Sequence, residues 1–244
     1  MNVALIPGIL ISVLTLACIL ILLRGLKKVL PMTGWDKKKQ NNFFIRTVLI
    51  IFIWMILLTV LSLTGFFSDF SKLPPRPALA IIVPLPFIVL LTFSKSFTQL
   101  LKVIPPGWLI FFQVFRIAVE VILFAGYLNT LLPEQMTFGG RNFDLISGLL
   151  ALPVGYYCFV KKRWPKSIAL VFNIAGLLLL LNVLIIAVLS MPTSMRYFMN
   201  EPSVKILAEF PFIYLPGVLV VLAYSFHIFS LRQLLSGKIN ATPA

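Results

Sequence analysis

Hydrophobic residues in this chain form long uninterrupted stretches, separated by short polar links. Seven stretches approach the roughly 20 apolar residues that a helix needs to cross the hydrocarbon core of a bilayer. We therefore predict an all-α polytopic membrane protein, a bundle of seven transmembrane helices that forms one integral domain over residues 1–244. The predicted spans are 3–23, 43–66, 78–94, 107–131, 143–160, 167–190 and 208–230.

The links alternate in charge. The first, third and fifth links and the carboxy-terminal tail carry 15 of the 21 basic residues and a single acid, Asp36. The second, fourth and sixth links balance five basic against five acidic residues. Because cytoplasmic loops are enriched in Lys and Arg, we predict that the amino terminus is outside and the carboxy terminus is cytoplasmic.

Composition agrees with a membrane location. Hydrophobic residues make up 60% of the chain and charged residues 11%, against about 25% charged residues in soluble domains. The first stretch is followed by basic residues, which is the reverse of a signal peptide, so we expect a retained helix. The basic links are expected to contact anionic lipid headgroups rather than nucleic acid. The compact loops favour a bacterial inner membrane.

The seven stretches also suggest an internal repeat, because helices one to three and five to seven share orientation and some local sequence. Leu5-Ile6-Pro7-Gly8 opens the first stretch and Leu145-Ile146-Ser147-Gly148 the fifth. We predict a parallel arrangement of three helices, one linker helix and three helices. This layout is similar to that of the SWEET sugar transporters, but the Pro-Gln dipeptide of the related PQ-loop proteins is absent, so membership is not assigned.

The fourth predicted helix carries a polar stripe. Gln113, Arg116, Glu120 and Tyr127 are spaced by three, four and seven residues, so they share one face. Arg116 lies about 15 Å from the cytoplasmic end of the helix, where a charge must face the bundle and find a partner. Glu120 is the expected partner. The pair is either structural or part of a substrate or proton site.

The fourth link supplies further candidates, namely Arg141, Asn142 and Asp144. Asp144 is expected to cap the fifth helix, where an acid is favourable. Arg141 is expected to pair with Glu134 or Asp144, or to bind an anion at the outer face. A connector that only turns the chain is the alternative interpretation.

Polar residues in the last two helices are interpreted as packing groups. Asn173 and Asn182 suit hydrogen bonds between helices. His227 is the single histidine, which excludes a bis-histidine haem site; we favour a packed polar residue over a proton relay. The two cysteines lie within apolar stretches and are interpreted as small packing residues.

Catalytic and metal-binding motifs are absent from the sequence, which favours a protein that is not an enzyme and has no cofactor or metal. A catalytic dyad assembled in space stays open. We expect a membrane protein that handles a small solute, ion or proton at the fourth helix and outer loops. The alternatives are a scaffold, assembly factor or sensor subunit, and, third, an intramembrane enzyme. A transporter needs a hydrated cavity at Arg116 and Glu120, whereas a scaffold has a closed core.

Overall fold

The fold was obtained as a computed structural model, which describes residues 4–236. Within that range it is all-helical, with eight helices and no strand. In chain order they are α1 (Leu5–Thr33), α2 (Lys37–Leu63), α3 (Arg76–Phe93), α4 (Lys95–Val103), α5 (Pro106–Leu128), α6 (Leu145–Val160), α7 (Lys166–Ser190) and α8 (Leu215–Leu235).

Six of these helices are long and apolar enough to cross a membrane: α1, α2, α3, α5, α7 and α8. The described residues 4–236 form eight helices and not the predicted seven, and they differ from the prediction in two respects. The predicted span 143–160 is the shorter apolar helix α6, and an eighth helix, α4, lies in what was interpreted as a link. The helix predicted over 208–230 begins later in the structure, at Leu215.

Helix α4 was missed because it is amphipathic and has only nine residues. It buries Phe97, Leu100 and Leu101, while its basic residues interrupt the apolar pattern that identified the spans. The Ser94 hydroxyl accepts a hydrogen bond from the Phe97 amide at 3.2 Å and so caps its amino terminus. The buried side of α4 packs against the end of α1 and against Trp35.

The links gather at two opposite ends of the bundle. At one end, Trp35 Nε1 donates to Gln99 Oε1 at 2.7 Å, and Gln233 Nε2 donates to the Leu101 carbonyl at 2.8 Å. We call this the basic end, since it collects the basic links, residues 24–46, 94–106 and 161–166. At the other end, Ser62 Oγ donates to the Ala208 carbonyl at 2.7 Å. We call this the neutral end, with residues 64–75, 129–134 and 191–214.

The main core lies between α1, α5, α7 and α8, and includes Ile11, Leu123, Leu180 and Tyr224. Helix α2 packs at the edge, where Leu58 meets Gly217 and Trp54 Nε1 donates to the Gly217 carbonyl at 2.8 Å. Only 6% of the apolar middle of α2 is buried inside the protein. The outward apolar surface of α2 therefore fits a lipid environment.

Candidate functional site

Arg116 lies at the centre of the bundle, on α5, with 1% of its surface exposed. Its Nε donates to Asp144 Oδ2 at 2.6 Å, and its Nη2 donates to Asp144 Oδ1, so the contact is bidentate. Asp144 precedes α6, so this pair joins two antiparallel helices. The prediction of a buried, bundle-facing charge is confirmed, but the ion-pair partner is Asp144 and not Glu120.

The same guanidinium also holds α7 and α8. Its Nη2 donates to the Gly176 carbonyl at 3.3 Å, and its Nη1 lies 2.8 Å from His227 Nε2. Arginine can only donate, so His227 Nε2 accepts. The hydrogen of the neutral ring is then on Nδ1, which donates to Asn173 Oδ1 at 2.9 Å.

Asn173 continues this chain of hydrogen bonds. Its Nδ2 donates to Ser230 Oγ at 2.9 Å and to the Ala169 carbonyl at 2.7 Å. We call the six residues Arg116, Glu120, Asn142, Asp144, Asn173 and His227 the polar centre. The predicted interhelical role of Asn173 is confirmed, and His227 is fully buried and hydrogen-bonded on both ring nitrogens.

Glu120 is the second carboxylate of the polar centre. Its Oε1 accepts from Asn142 Nδ2 at 2.7 Å, and its Oε2 has no hydrogen-bond partner within residues 4–236. Asn142 also bonds the Asp144 amide through its Oδ1 at 3.0 Å. One guanidinium therefore shares the interior with two carboxyl groups, and Asp144 makes the ion pair with it.

The fourth link explains how Asn142 and Asp144 reach this depth, because it folds back into the bundle. Helix α6 runs antiparallel to α5, with Gly155 beside Phe111 and Gly148 beside Ile117. The start of α6 is therefore level with Glu120, while α5 continues for eight more residues, about 12 Å.

Contacts with α7 also show that the fourth link enters the bundle. Gln135 Nε2 donates to Ser190 Oγ, at the last residue of α7, at 3.0 Å. The Arg141 carbonyl instead accepts from Asn182, eight residues earlier, at 2.9 Å. Non-helical backbone at this depth requires protein partners, and the Asn142 side chain supplies one by donating to the Met136 carbonyl at 3.0 Å.

Two glycines let the helices approach closely enough for these bonds. A Cβ on Gly148 would stand 2.9 Å from the Ile117 amide nitrogen, and a Cβ on Gly176 would collide with the His227 ring. Both positions border the polar centre. Because Gly148 has no side chain, α6 can lie close to α5, and because Gly176 has none, α7 can lie close to α8.

The other predicted site residues lie elsewhere. Gln113 is buried on α5, on the side of Arg116 that is nearer the basic end. Its side chain donates to the Ala223 carbonyl of α8 at 3.0 Å. Tyr127 is half-buried against Phe124 near the neutral end. Arg141 is exposed, with its guanidinium 5.3 Å from the centre of the Phe198 ring.

Within residues 4–236, the predicted capping by Asp144 was wrong, and two of the three alternatives given for Arg141 do not occur. Asp144 makes no capping bond with its side chain, because both of its oxygens are bound to Arg116. The expected pairing of Arg141 with Glu134 or Asp144 does not occur in the part of the chain that the structure describes. Cys18 and Cys158 are buried free thiols, as their sequence context indicated.

Sequence reasoning did not connect His227 and Asn173 with Arg116. Each stood out as a polar residue in an apolar helix, but no spacing along the chain relates α5 to α7 and α8. In residues 4–236 no group of three or more His, Cys, Asp or Glu side chains is arranged to hold a metal ion.

Comparison with known proteins adds a family. No curated protein and no solved structure matches the chain. A family model described as a domain of unknown function (DUF8737) matches residues 74–235, which is α3 to α8 with their links and includes the whole polar centre. The chain thus belongs to the family of this domain of unknown function.

Proposed function

We propose that this multi-pass membrane protein is a non-transporting scaffold or sensor subunit, with a closed centre and its activity at the exposed ends. The observation that carries the proposal is the burial of the polar centre: Arg116 and Glu120 are each 1% exposed. Every link of the hydrogen-bonded chain from Asp144 to Ser230 is made between protein groups. Such a network holds four helices and the inserted link in one arrangement.

The proposal includes seven membrane crossings, six by the long helices and one by α6 together with the inserted link. We place the basic end in the cytoplasm, since the positive charge of the chain is concentrated there. The amino terminus would then be outside, and the basic links would meet anionic lipid headgroups. A bacterial inner membrane suits this arrangement.

Orientation has a direct test. Single cysteines at Lys38 and Glu201, in a variant lacking Cys18 and Cys158, should label from opposite sides of the membrane with an impermeant thiol reagent. Lys38 should react only after the cytoplasmic face is opened. Labelling of Lys38→Cys in intact cells would reverse the proposed topology.

The closed centre is tested by water access. Ser147 follows Asp144 by three residues and is 1% exposed, and cysteine replaces serine at nearly the same size. Ser147→Cys should resist the impermeant reagent in folded protein, whereas the exposed control Ser71→Cys should react. Rapid labelling of Ser147→Cys would reveal a hydrated path and overturn the scaffold proposal.

The second candidate is transport of a proton or small ion, favoured by Glu120 Oε2, which has no hydrogen-bond partner among the described residues 4–236. An ionisable group within a membrane bundle is a functional-site hypothesis in itself, and sites near the bilayer centre are often built from interrupted helices. A proton flux in proteoliposomes that Glu120→Gln abolishes and Glu134→Gln preserves would establish this function. Equal flux with and without protein supports the scaffold.

A further inference from the structure

The neutral end contains a cavity of about 530 Å³ that is widely open to solvent and that the polar centre does not reach. It lies between the link that follows α2 and the link that precedes α8. Its lining residues are Ser68, Asp69, Phe70, Ser71, Pro192, Lys205 and Glu209. The volume is within the range of about 300–1,000 Å³ that small-molecule sites occupy.

Asp69, one of the three charged residues that line the cavity, is already paired with Arg76. Asp69 Oδ1 accepts from the Ser71 hydroxyl at 2.6 Å and from the Ser71 amide at 3.0 Å, and its Oδ2 lies 2.7 Å from Arg76 Nη2. These hydrogen bonds, with the charge of Arg76, hold the pKa of Asp69 below its ordinary value. Asp69 therefore stays ionised and paired at neutral pH.

The other two charges lie at the surface, where Lys205 also attracts the nearby carboxylate of Glu201. Lys205 and Glu209 are exposed and line the same cavity. Within residues 4–236, neither side chain forms an ion pair with another residue. The cavity thus presents one ammonium and one carboxylate to solvent, beside two serine hydroxyls and the apolar surface of Phe70 and Pro192.

We propose that this cavity binds a small zwitterion. Its ammonium group would meet Glu209, its anionic group would meet Lys205, and a short aliphatic part would lie against Phe70. A free α-amino acid and the headgroup of phosphatidylethanolamine share this chemistry, and the cavity is at an end of the bundle where either has access. The site goes beyond the proposed function and does not depend on it.

Binding to purified protein in phosphatidylcholine nanodiscs tests the site, by calorimetry with L-alanine, L-serine and phosphoethanolamine as probes. At least one zwitterion should bind saturably, and acetate and ethylamine should bind about tenfold more weakly, since each meets one charge only. The same titration in nanodiscs containing phosphatidylethanolamine separates the two sources. Loss of soluble-probe binding there identifies the lipid headgroup, and unchanged binding identifies the free solute.

Variants assign the charges. Lys205→Gln and Glu209→Gln should each weaken binding by about tenfold, Lys205→Arg should retain it, and the exposed control Glu134→Gln should leave it unchanged. Because the substituted residues are exposed, the variants should keep the wild-type elution volume and helical circular dichroism. The proposal is overturned if no probe binds in either lipid, if acetate binds as tightly as the zwitterions, or if both charge-removing variants bind normally.

Discussion

Two arginines of this protein make the same kind of contact in opposite surroundings. Arg116 pairs with Asp144 inside the bundle, with 1% and 8% of the two side chains exposed. Arg196 pairs with Glu201 at the neutral end, at 2.9 Å, where 14% and 69% are exposed. Each guanidinium also donates to backbone carbonyls, Gly176 for the first and Phe198 and Asn200 for the second. The two pairs differ mainly in their access to water.

That difference decides what each pair contributes. Water can solvate Arg196 if Glu201 is lost, so the exposed pair mainly orders the link before α8. Arg116 is 1% exposed, so loss of its bound carboxylate leaves a charge in the buried interior. The buried pair therefore specifies how α5 and α6 pack, and the exposed one is replaceable.

The largest effect is expected for Asp144→Asn. The substitution keeps the shape but removes the charge of the carboxylate that binds Arg116, which should reduce the free energy of unfolding by about 3–5 kcal/mol. Unfolding of purified protein in detergent, followed by circular dichroism, measures it. The double variant Arg116→Met/Asp144→Leu should recover part of the loss, since neither member of the ion pair is then buried without the other. A single-variant loss as small as that of Arg196→Gln would remove the distinction between the pairs.

A smaller but substantial loss is expected for Gly176→Ala. The added Cβ would displace the His227 ring that accepts from Arg116, at a cost of about 1–3 kcal/mol. Gly25→Ala is the matched control, because its Cβ would meet only Trp108, at an ordinary 3.9 Å. The control should be neutral or slightly stabilising, given the higher helix propensity of alanine. Equal losses in both variants would show that the polar centre tolerates movement.

Glu120→Gln should change stability by less than about 1 kcal/mol. Glutamine Oε1 still accepts from Asn142, and the substitution removes a carboxylate whose second oxygen has no hydrogen-bond partner in residues 4–236. Unfolding in the same detergent checks this. A loss comparable to that of Asp144→Asn would mean that Glu120 carries a charge on which the core depends.

The smallest effect concerns pH at the exposed pair. Hydrogen bonds from Arg196 and from the Ser203 amide hold the pKa of Glu201 below its ordinary value of 4.5. The pair therefore contributes stability above pH 4.5, and this contribution is lost as the pH falls through the lowered pKa. Glu201→Gln should be slightly less stable than wild type at neutral pH and equal to it in acid. If the stability difference between Glu201→Gln and wild type instead grew as the pH fell, the predicted direction of the pH dependence would be contradicted.

Part of this fold follows from local pattern. The apolar stretches predicted the six long helices, and the spacing of Gln113, Arg116 and Glu120 correctly placed these residues inside the bundle. Helix α4 was missed because its apolar side has three buried residues among basic ones. The length of α6 was also unpredictable, since the insertion of the fourth link shows only in its contacts with α5 and α7.

The partners in the polar centre required the assembled bundle. Glu120 is the nearest carboxylate to Arg116 along the helix, but Asp144, 28 residues later, is the one it binds. The contact of Arg116 with His227 spans 111 residues. Hydropathy and charge along the chain thus predicted a helical protein whose long helices are apolar enough to cross a membrane, with one basic end and a buried charge at its centre. Only the tertiary structure decided which groups satisfy that charge, because a buried arginine binds the acceptors that helix packing and the glycine contacts bring to it, whatever their distance in sequence.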